Sequence, residues 1–247
     1  MNDRLLRASG IDVRFGGVHA LRDVAVSVGA GEICGLIGPN GAGKTTLFDV
    51  LSGMRRPDAG AITYDGRDIT GRSSVWRARR GIRRTFQRRQ LFGELTVADN
   101  LVVAQEWRGG AGSAVRRRRR ERAAAVLHTC GLETLAGSYA GGLPVGQARM
   151  VELARALVDP PRVLLLDEPV SGMTAQECGV LAAVVRGAAR EGCGVLVVEH
   201  DVSFVMGLCS RVVVLDRGGV LAEGTAAEVR ADLAVREAYL GAGPAGV

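Results

Sequence analysis

The chain is poor in aromatic residues, nearly devoid of lysine, and has no paired cysteine motif. Phe, Trp and Tyr make up 4% of its 247 residues, so Val, Leu, Ala and Ile must build the core. Lysine occurs once, at Lys44, and the other 31 of the 32 basic residues are arginine. The five cysteines (Cys34, Cys130, Cys178, Cys193, Cys209) are scattered, odd in number and without a CxxC pair. That argues against a disulfide framework or a metal ribbon and for reduced thiols in a cytosolic setting. No uninterrupted apolar run approaches the ~18 residues that span a bilayer. The opening "MNDRLLRASG" lacks the apolar segment of a secretory leader. Any work at a membrane would need other chains to do the spanning. No internal repeat is visible.

What is present is globular. Hydrophobic residues account for 47% and charged residues for 23%, and the length suits one sizeable α/β domain with a modest insert. The net charge of +6 and pI near 9.5 suit nucleic acid, an anionic membrane surface or an acidic substrate without choosing among them.

Short apolar runs mark the strands. "VHALRDVAVSV" (18–28) partly alternates, and "EICGLI" (32–37), "RVLLLDEP" (162–169) and "GVLVVEHD" (194–201) read as buried strands. "KTTLFDVLSGM" reads as a helix stopped by Gly53 and Pro57, and "AITYDGRDI" as strand and turn around Asp65-Gly66. "TAQECGVLAAVVRGAARE" has helical spacing. Buried strands alternating with helices predict a largely parallel sheet covered on both faces. From about Arg88 to Val158 the pattern is helical with almost no strand, and "RGGAGS" (108–113) reads as a flexible connection within it. This predicts one domain over 1–247, with a core of 1–87 and 159–247 and a helical subdomain of 88–158.

The lone lysine lies in "GPNGAGKTT", which fits G-x-x-x-x-G-K-[ST] at Gly38, Gly43, Lys44 and Thr45. The stretch follows a predicted strand and opens a predicted helix, the context a phosphate-binding loop requires. Its glycines let successive N–H groups face the phosphates, and the helix N-terminus adds positive potential. An ammonium is a compact point charge that fits between β- and γ-phosphates, where the larger planar guanidinium does not. Thr45 can offer a hydroxyl to Mg²⁺. "GAGEICG" (29–35) contains G-x-G but precedes its strand, which argues against a dinucleotide fingerprint. At the end of "VLLLD", Asp167 can reach a Mg²⁺ shell and Glu168 can polarise an attacking water. His200 ends another strand of the same sheet, a place that suits a γ-phosphate contact.

In this order the residues resemble the ATP-binding subunit of an ABC transporter, from about Leu5 to Gly241. Phe15 in "VRFGG" stands where the family stacks an aromatic on adenine. Gly38, Pro39, Asn40, Gly41, Ala42, Gly43, Lys44, Thr45 and Thr46 match Walker A. Gln87 in "RTFQ" matches the Q-loop, which contacts metal and water and senses the membrane subunits. "LPVGQ" occupies the signature, Asp167 and Glu168 match Walker B, "SGMT" the D-loop and His200 the switch histidine. "RTFQRRQLFGELTVADNL", "EHDVSFVMGLCSRVVVLDRGGVLAEGT" and "VREAYLG" are similar to branched-chain amino-acid importers, whose relatives serve urea and other amides.

The resemblance implies a P-loop (RecA-like) ATPase core with an N-terminal antiparallel β subdomain and a helical insert. It implies an ATP hydrolase using ATP and Mg²⁺, with Thr45, Gln87 and Asp167 at the metal, and Glu168, Gln87 and His200 at the reaction. Gly146 and Gln147 would meet nucleotide held by an opposite subunit. The implied partners are two membrane-spanning permease subunits, a second and non-identical ATP subunit, and indirectly an external solute-binding protein. The implied location is the cytoplasmic face of the inner membrane, as a peripheral subunit. Two departures stand out. Pro144 and Val145 replace the signature serine and first glycine, and Thr174 stands near the usual D-loop acid. A soluble ABC ATPase acting on nucleic acid and a P-loop kinase or GTPase use related cores. The first usually carries coiled-coil inserts or fused cassettes, and neither is present here. The signature, Gln87 and His200 argue against the second. "RRRRRER" (116–122) has no interleaved aromatic for base stacking, so no nucleic-acid partner is expected. Trp76 and Trp107 read as packing residues, the cysteines as inert, and "VEHDVSFVMGLC" as core helix.

Overall fold

The computed structural model describes residues 4–88 and 90–240. Residues 1–3 of the opening stretch, Arg89 of the Q-loop segment and Gly241 at the end of the resembling run lie outside them.

The first half holds strands β1 (Arg4–Phe15), β2 (Val18–Gly29) and β3 (Ile33–Ile37), then helix α1 (Lys44–Ser52). Strands β4 (Ala59–Tyr64) and β5 (Arg67–Asp68), helix α2 (Ser74–Arg79) and strand β6 (Ile82–Arg84) follow. Next come helices α3 (Val97–Val103), α4 (Ser113–Thr129) and α5 (Val145–Leu157). The chain closes with β7 (Val163–Asp167), α6 (Ala175–Arg190), β8 (Gly194–Val198), α7 (Val202–Leu208), β9 (Arg211–Asp216), β10 (Gly219–Gly224), α8 (Ala226–Ala231) and α9 (Leu233–Leu240).

Two sheets result. One is antiparallel, in the order β2-β1-β4-β5. The other runs β10-β9-β3-β8-β7-β6 and is parallel except for its β10 edge. Side chains of β3 alternate between two cores. Cys34 and Leu36 pack with Leu47 and Phe48 of α1 and the inner face of the antiparallel sheet. Ile33 and Ile37 pack with Val151 of α5, Val185 of α6 and Val205 of α7. The parallel sheet is therefore covered on both faces, and its central strands are buried at every position.

The segment between β6 and β7 is helical as expected, with one isolated bridge, Thr96–Tyr139, among the described residues. β1 was not anticipated. Its buried residues Leu6, Ala8, Ile11 and Val13 keep a period of two except at Gly10, where a bulge shifts the register. Register shifts recur along the pairing with β2 and Leu5 is buried beside Leu6; the shift at Gly10 does most to hide the alternation from a sequence reading.

Arg77 ties the start of the core together. It is 1% exposed, and its guanidinium donates to the carbonyls of Val50 and Leu51 at the end of α1, and to those of Ile69, Thr70 and Arg72. Burial lowers it to about 10, so it stays charged at neutral pH and answers the negative end of the helix. Replacing Arg77 with Ala leaves these carbonyls without their donor and should cost at least about 3 kcal/mol in urea denaturation. Cys34, Cys130, Cys193 and Cys209 are buried, and burial pushes the last three up to about 12. Ellman's reagent should therefore titrate Cys178 alone in the folded protein and all five thiols after unfolding.

Candidate functional site

The C-terminal ends of β3, β7 and β8 converge on one cleft of about 620 Å³, whose lining includes Gly41, Lys44, Thr45, Gln87, Glu168 and His200. The loop between β3 and α1 builds its floor. Gly38 has φ 154°, and a Cβ there would lie 2.1 Å from the Leu215 carbonyl oxygen. Only glycine lets the backbone pass that close to β9. The turn after β9 closes on the same loop, with the Gly218 N–H donating to Ala42 O at 3.1 Å.

Lys44 opens α1 and curls back into the loop. Its Nζ donates to Gly38 O at 2.6 Å and Pro39 O at 2.9 Å, and the side chain is buried. Burial pushes its ammonium down, while Glu168 and Asp167 push it up. The ammonium thus sits in a ring of oxygens that leaves one N–H for an anion. Thr45 is exposed beside it and Thr46 half-buried.

β7 delivers two neighbouring carboxylates to different environments. Asp167 is 2% exposed, accepts from Arg84 Nη2 at 2.9 Å, and its backbone N–H donates to Thr85 Oγ1. Burial raises it, and the Arg84 guanidinium opposes that rise. Glu168 takes φ 48°. That left-handed turn costs about 1 kcal/mol for a residue with a side chain, and it redirects the carboxylate into the cleft. There Gln87 Nε2 donates to Oε2 and His200 Nε2 meets Oε1, each at 2.9 Å. Residues far apart in sequence thereby clamp one carboxylate. Thr45 and Gln87 line the cleft and Asp167 lies behind it on Arg84; their side-chain oxygens suit a hard cation that takes most of its ligands from phosphate and water. No cluster of three or more His, Cys, Asp or Glu that could cage a metal occurs among the described residues.

Phe15 stands outside this lining. Its ring is 48% exposed, Arg55 covers it at 3.8 Å from the ring centre, and its cross-strand neighbour Val18 forms part of the cleft wall. Gly146 and Gln147 also lie elsewhere, in the first turn of α5. Pro144 caps α5 without a side-chain bond, and Val145 is 42% exposed. A Cβ on Gly146 would meet the Glu177 carboxylate at 2.2 Å, and one on Gly172 would meet Val145 at 2.9 Å. Thr174 caps α6 by accepting from the Glu177 N–H, and Glu177 answers the Thr174 N–H. Thr174 is thus a helix cap.

The sequence profile described as "ABC transporter" matches residues 21–171, well over half of the chain. The chain belongs to the ABC transporter family. A second profile, "Branched-chain amino acid ATP-binding cassette transporter", matches residues 220–245 of the cassette. BraF of Pseudomonas aeruginosa, a high-affinity branched-chain amino acid transport ATP-binding protein, is 39% identical over 98% of this chain and 99% of its own. LivG of Escherichia coli, with the same description, is 38% identical over 98% and 99%. A crystal structure of the ADP conformation of an ABC transporter's ATP-binding cassette superposes with TM-score 0.85 at 31% identity, covering 96% of this cassette and 99% of that chain.

Two polar residues of the cassette were not singled out from sequence. Arg84 bridges Asp167 and Asp49, donating to Asp49 Oδ1 at 2.6 Å and to Ser52 Oγ at 3.1 Å. Glu199 is buried and accepts from the N–H groups of Val170 and His200, which fixes the turn after Glu168 against His200. Arg84 hides among 31 arginines. Glu199 was passed over as part of an apolar strand ending. Arg84→Gln should destabilise the cassette by about 3 kcal/mol or more, since it strands a buried carboxylate. Adding Asp167→Asn should recover most of that loss in a double-mutant cycle followed by urea denaturation.

Proposed function

We propose that this cassette hydrolyses ATP to power import of branched-chain or related amino acids through separate membrane subunits. The clamped Glu168 beside the Lys44 loop carries the hydrolytic half of this reading. The match of the C-terminal segment to the branched-chain profile carries the cargo half. Lys44 and the N–H groups of the 38–46 loop bind the phosphates, and Phe15 offers its free face to adenine. Thr45, Asp167 and Gln87 would hold Mg²⁺, which when bound offsets charge on the β- and γ-phosphates. Glu168 orients a water and draws its proton as the water oxygen bonds to the γ-phosphorus and the bond to the β-phosphate oxygen breaks. Gln87 and His200 hold that carboxylate on line, and His200 is placed to meet the γ-phosphate. The domain divides at about 88 and 158, with α3, α4 and α5 in the helical part.

Gly146 and Gln147 do not line the chain's own cleft, which supports a sandwich in which they serve nucleotide on a second ATP subunit. Pro144 offers no N–H and no hydroxyl, and Val145 adds an exposed branch. We therefore read the partner as non-identical, with a complete signature of its own. Among the described residues no helix is long and apolar enough to cross a membrane. In this reading the cassette works peripherally, on the cytoplasmic face of the inner membrane, against two permease subunits that receive solute from an external binding protein.

Glu168→Gln should bind Mg-ATP and hydrolyse it slowly. By light scattering the variant alone should remain monomeric with Mg-ATP and become dimeric only with its partner subunit. A dimer of the variant alone would show that the Pro144–Val145 signature closes on a second copy, and would overturn the unequal pairing.

A further inference from the structure

The arginine run left unused by the ATPase reading is a built surface. It occupies the first turns of α4, where Arg116, Arg117, Arg118, Arg120 and Arg122 are all exposed. Arg116, Ala123 and Leu127 share one helical face, at spacings of seven and eleven. Ala123 and Leu127 are buried there and Arg116 is not, so the start of the helix overhangs the body on this face and presents its arginines to solvent except at Arg119. Acidic side chains reach only part of this surface, with Asp99 and Glu133 lining the same hollow as Arg120. Arg117 approaches Glu121 at 3.6 Å with both side chains largely in solvent, a pair worth little.

The overhang is anchored. Arg119 is half-buried, donates to Gly109 O at 2.9 Å and lies 3.5 Å from Glu106. Gln105 is fully buried and donates to Arg119 O at 2.9 Å. Trp107, 37% exposed, sits between Arg83 and Arg108, each 5.2 Å from its ring centre. Arg83 belongs to β6, the strand that leads to Gln87, and Arg83 and Arg108 share Asp159. The basic helix is thereby fixed to the edge of the molecule that carries the loop expected to meet the permease. An exposed tryptophan beside an arginine cluster matches the headgroup layer of a bilayer, where aromatic rings and basic side chains both settle.

We propose that the exposed arginines of α4, with Trp107 beside them, dock this cassette on anionic phospholipid headgroups next to the permease. The inference rests on the transport reading above, because that reading brings this edge to a membrane. Each basic side chain near such a surface contributes about fivefold in affinity, so losing all five should weaken binding by about a thousandfold or more.

The test is vesicle flotation of the full chain, on phosphatidylcholine alone and on phosphatidylcholine mixed with phosphatidylglycerol. Wild type should float with the mixed vesicles only and be released by salt. The variant R116Q/R117Q/R118Q/R120Q/R122Q should stay at the bottom while binding ATP as before, and five Arg→Lys changes should retain flotation because charge alone is read. Equal flotation on both vesicles, or flotation unchanged in the glutamine variant, overturns the proposal. So does tighter binding to a single-stranded oligonucleotide than to the mixed vesicles at the same salt. ATP binding is measured in the same samples. A chain that binds ATP without floating sinks only the lipid inference, and one that floats without binding ATP sinks the ATPase reading.

Discussion

Two carboxylates leave one buried strand side by side, and the site depends on giving them different surroundings. Like charges this close cannot both be ionised in a dry pocket without partners. The fold separates them by a single backbone rotation. Asp167 continues the strand and is met by the buried Arg84. Glu168 turns through a positive φ into the cleft, where Gln87 and His200 take its two oxygens. Glu199 and Thr85 then hold the turn from behind. The loop at 38–46 can bury the Lys44 ammonium because this pair of anions stands opposite it.

Arginine does much of the internal bracing. Arg77 collects carbonyls from α1 and the β5–α2 connection. Arg149 donates to the carbonyls of Phe86 and Gln87, so α5 grips the loop that carries Gln87. Arg211 joins Glu32, Glu223 and Ser27 O across two sheets. A planar fork with five donors suits these sites, and one ammonium suits the phosphate loop. The bias toward arginine therefore has structural uses beyond composition.

Much of this was legible in the chain itself. The central strands announce themselves as apolar runs, and the loop at 38–46 by its glycines and lysine. The helical stretch between β6 and β7 was plain from its periodicity. β1 was not, because the bulge at Gly10 breaks the alternation that marks a half-buried strand. β6 is only three residues long and is defined by its pairing with β7, which no local pattern reveals. Arg84 and Glu199 escaped for a related reason. Their importance lies in long-range partners, and a residue type gives no sign of what the fold will put beside it. Phe15 shows the opposite limit, since its motif position is clear while its ring is covered by Arg55, a residue forty positions away.

The closeness of Val145 to Gly172 couples the departed signature position to the loop after Glu168. Gly172 has φ 78°, and a Cβ there would press on the valine branch at 2.9 Å. A side chain at 172 would therefore press on the valine and also sit on a left-handed backbone. Shortening residue 145 would relieve the first cost and leave the second, so the two positions are coupled in one direction only.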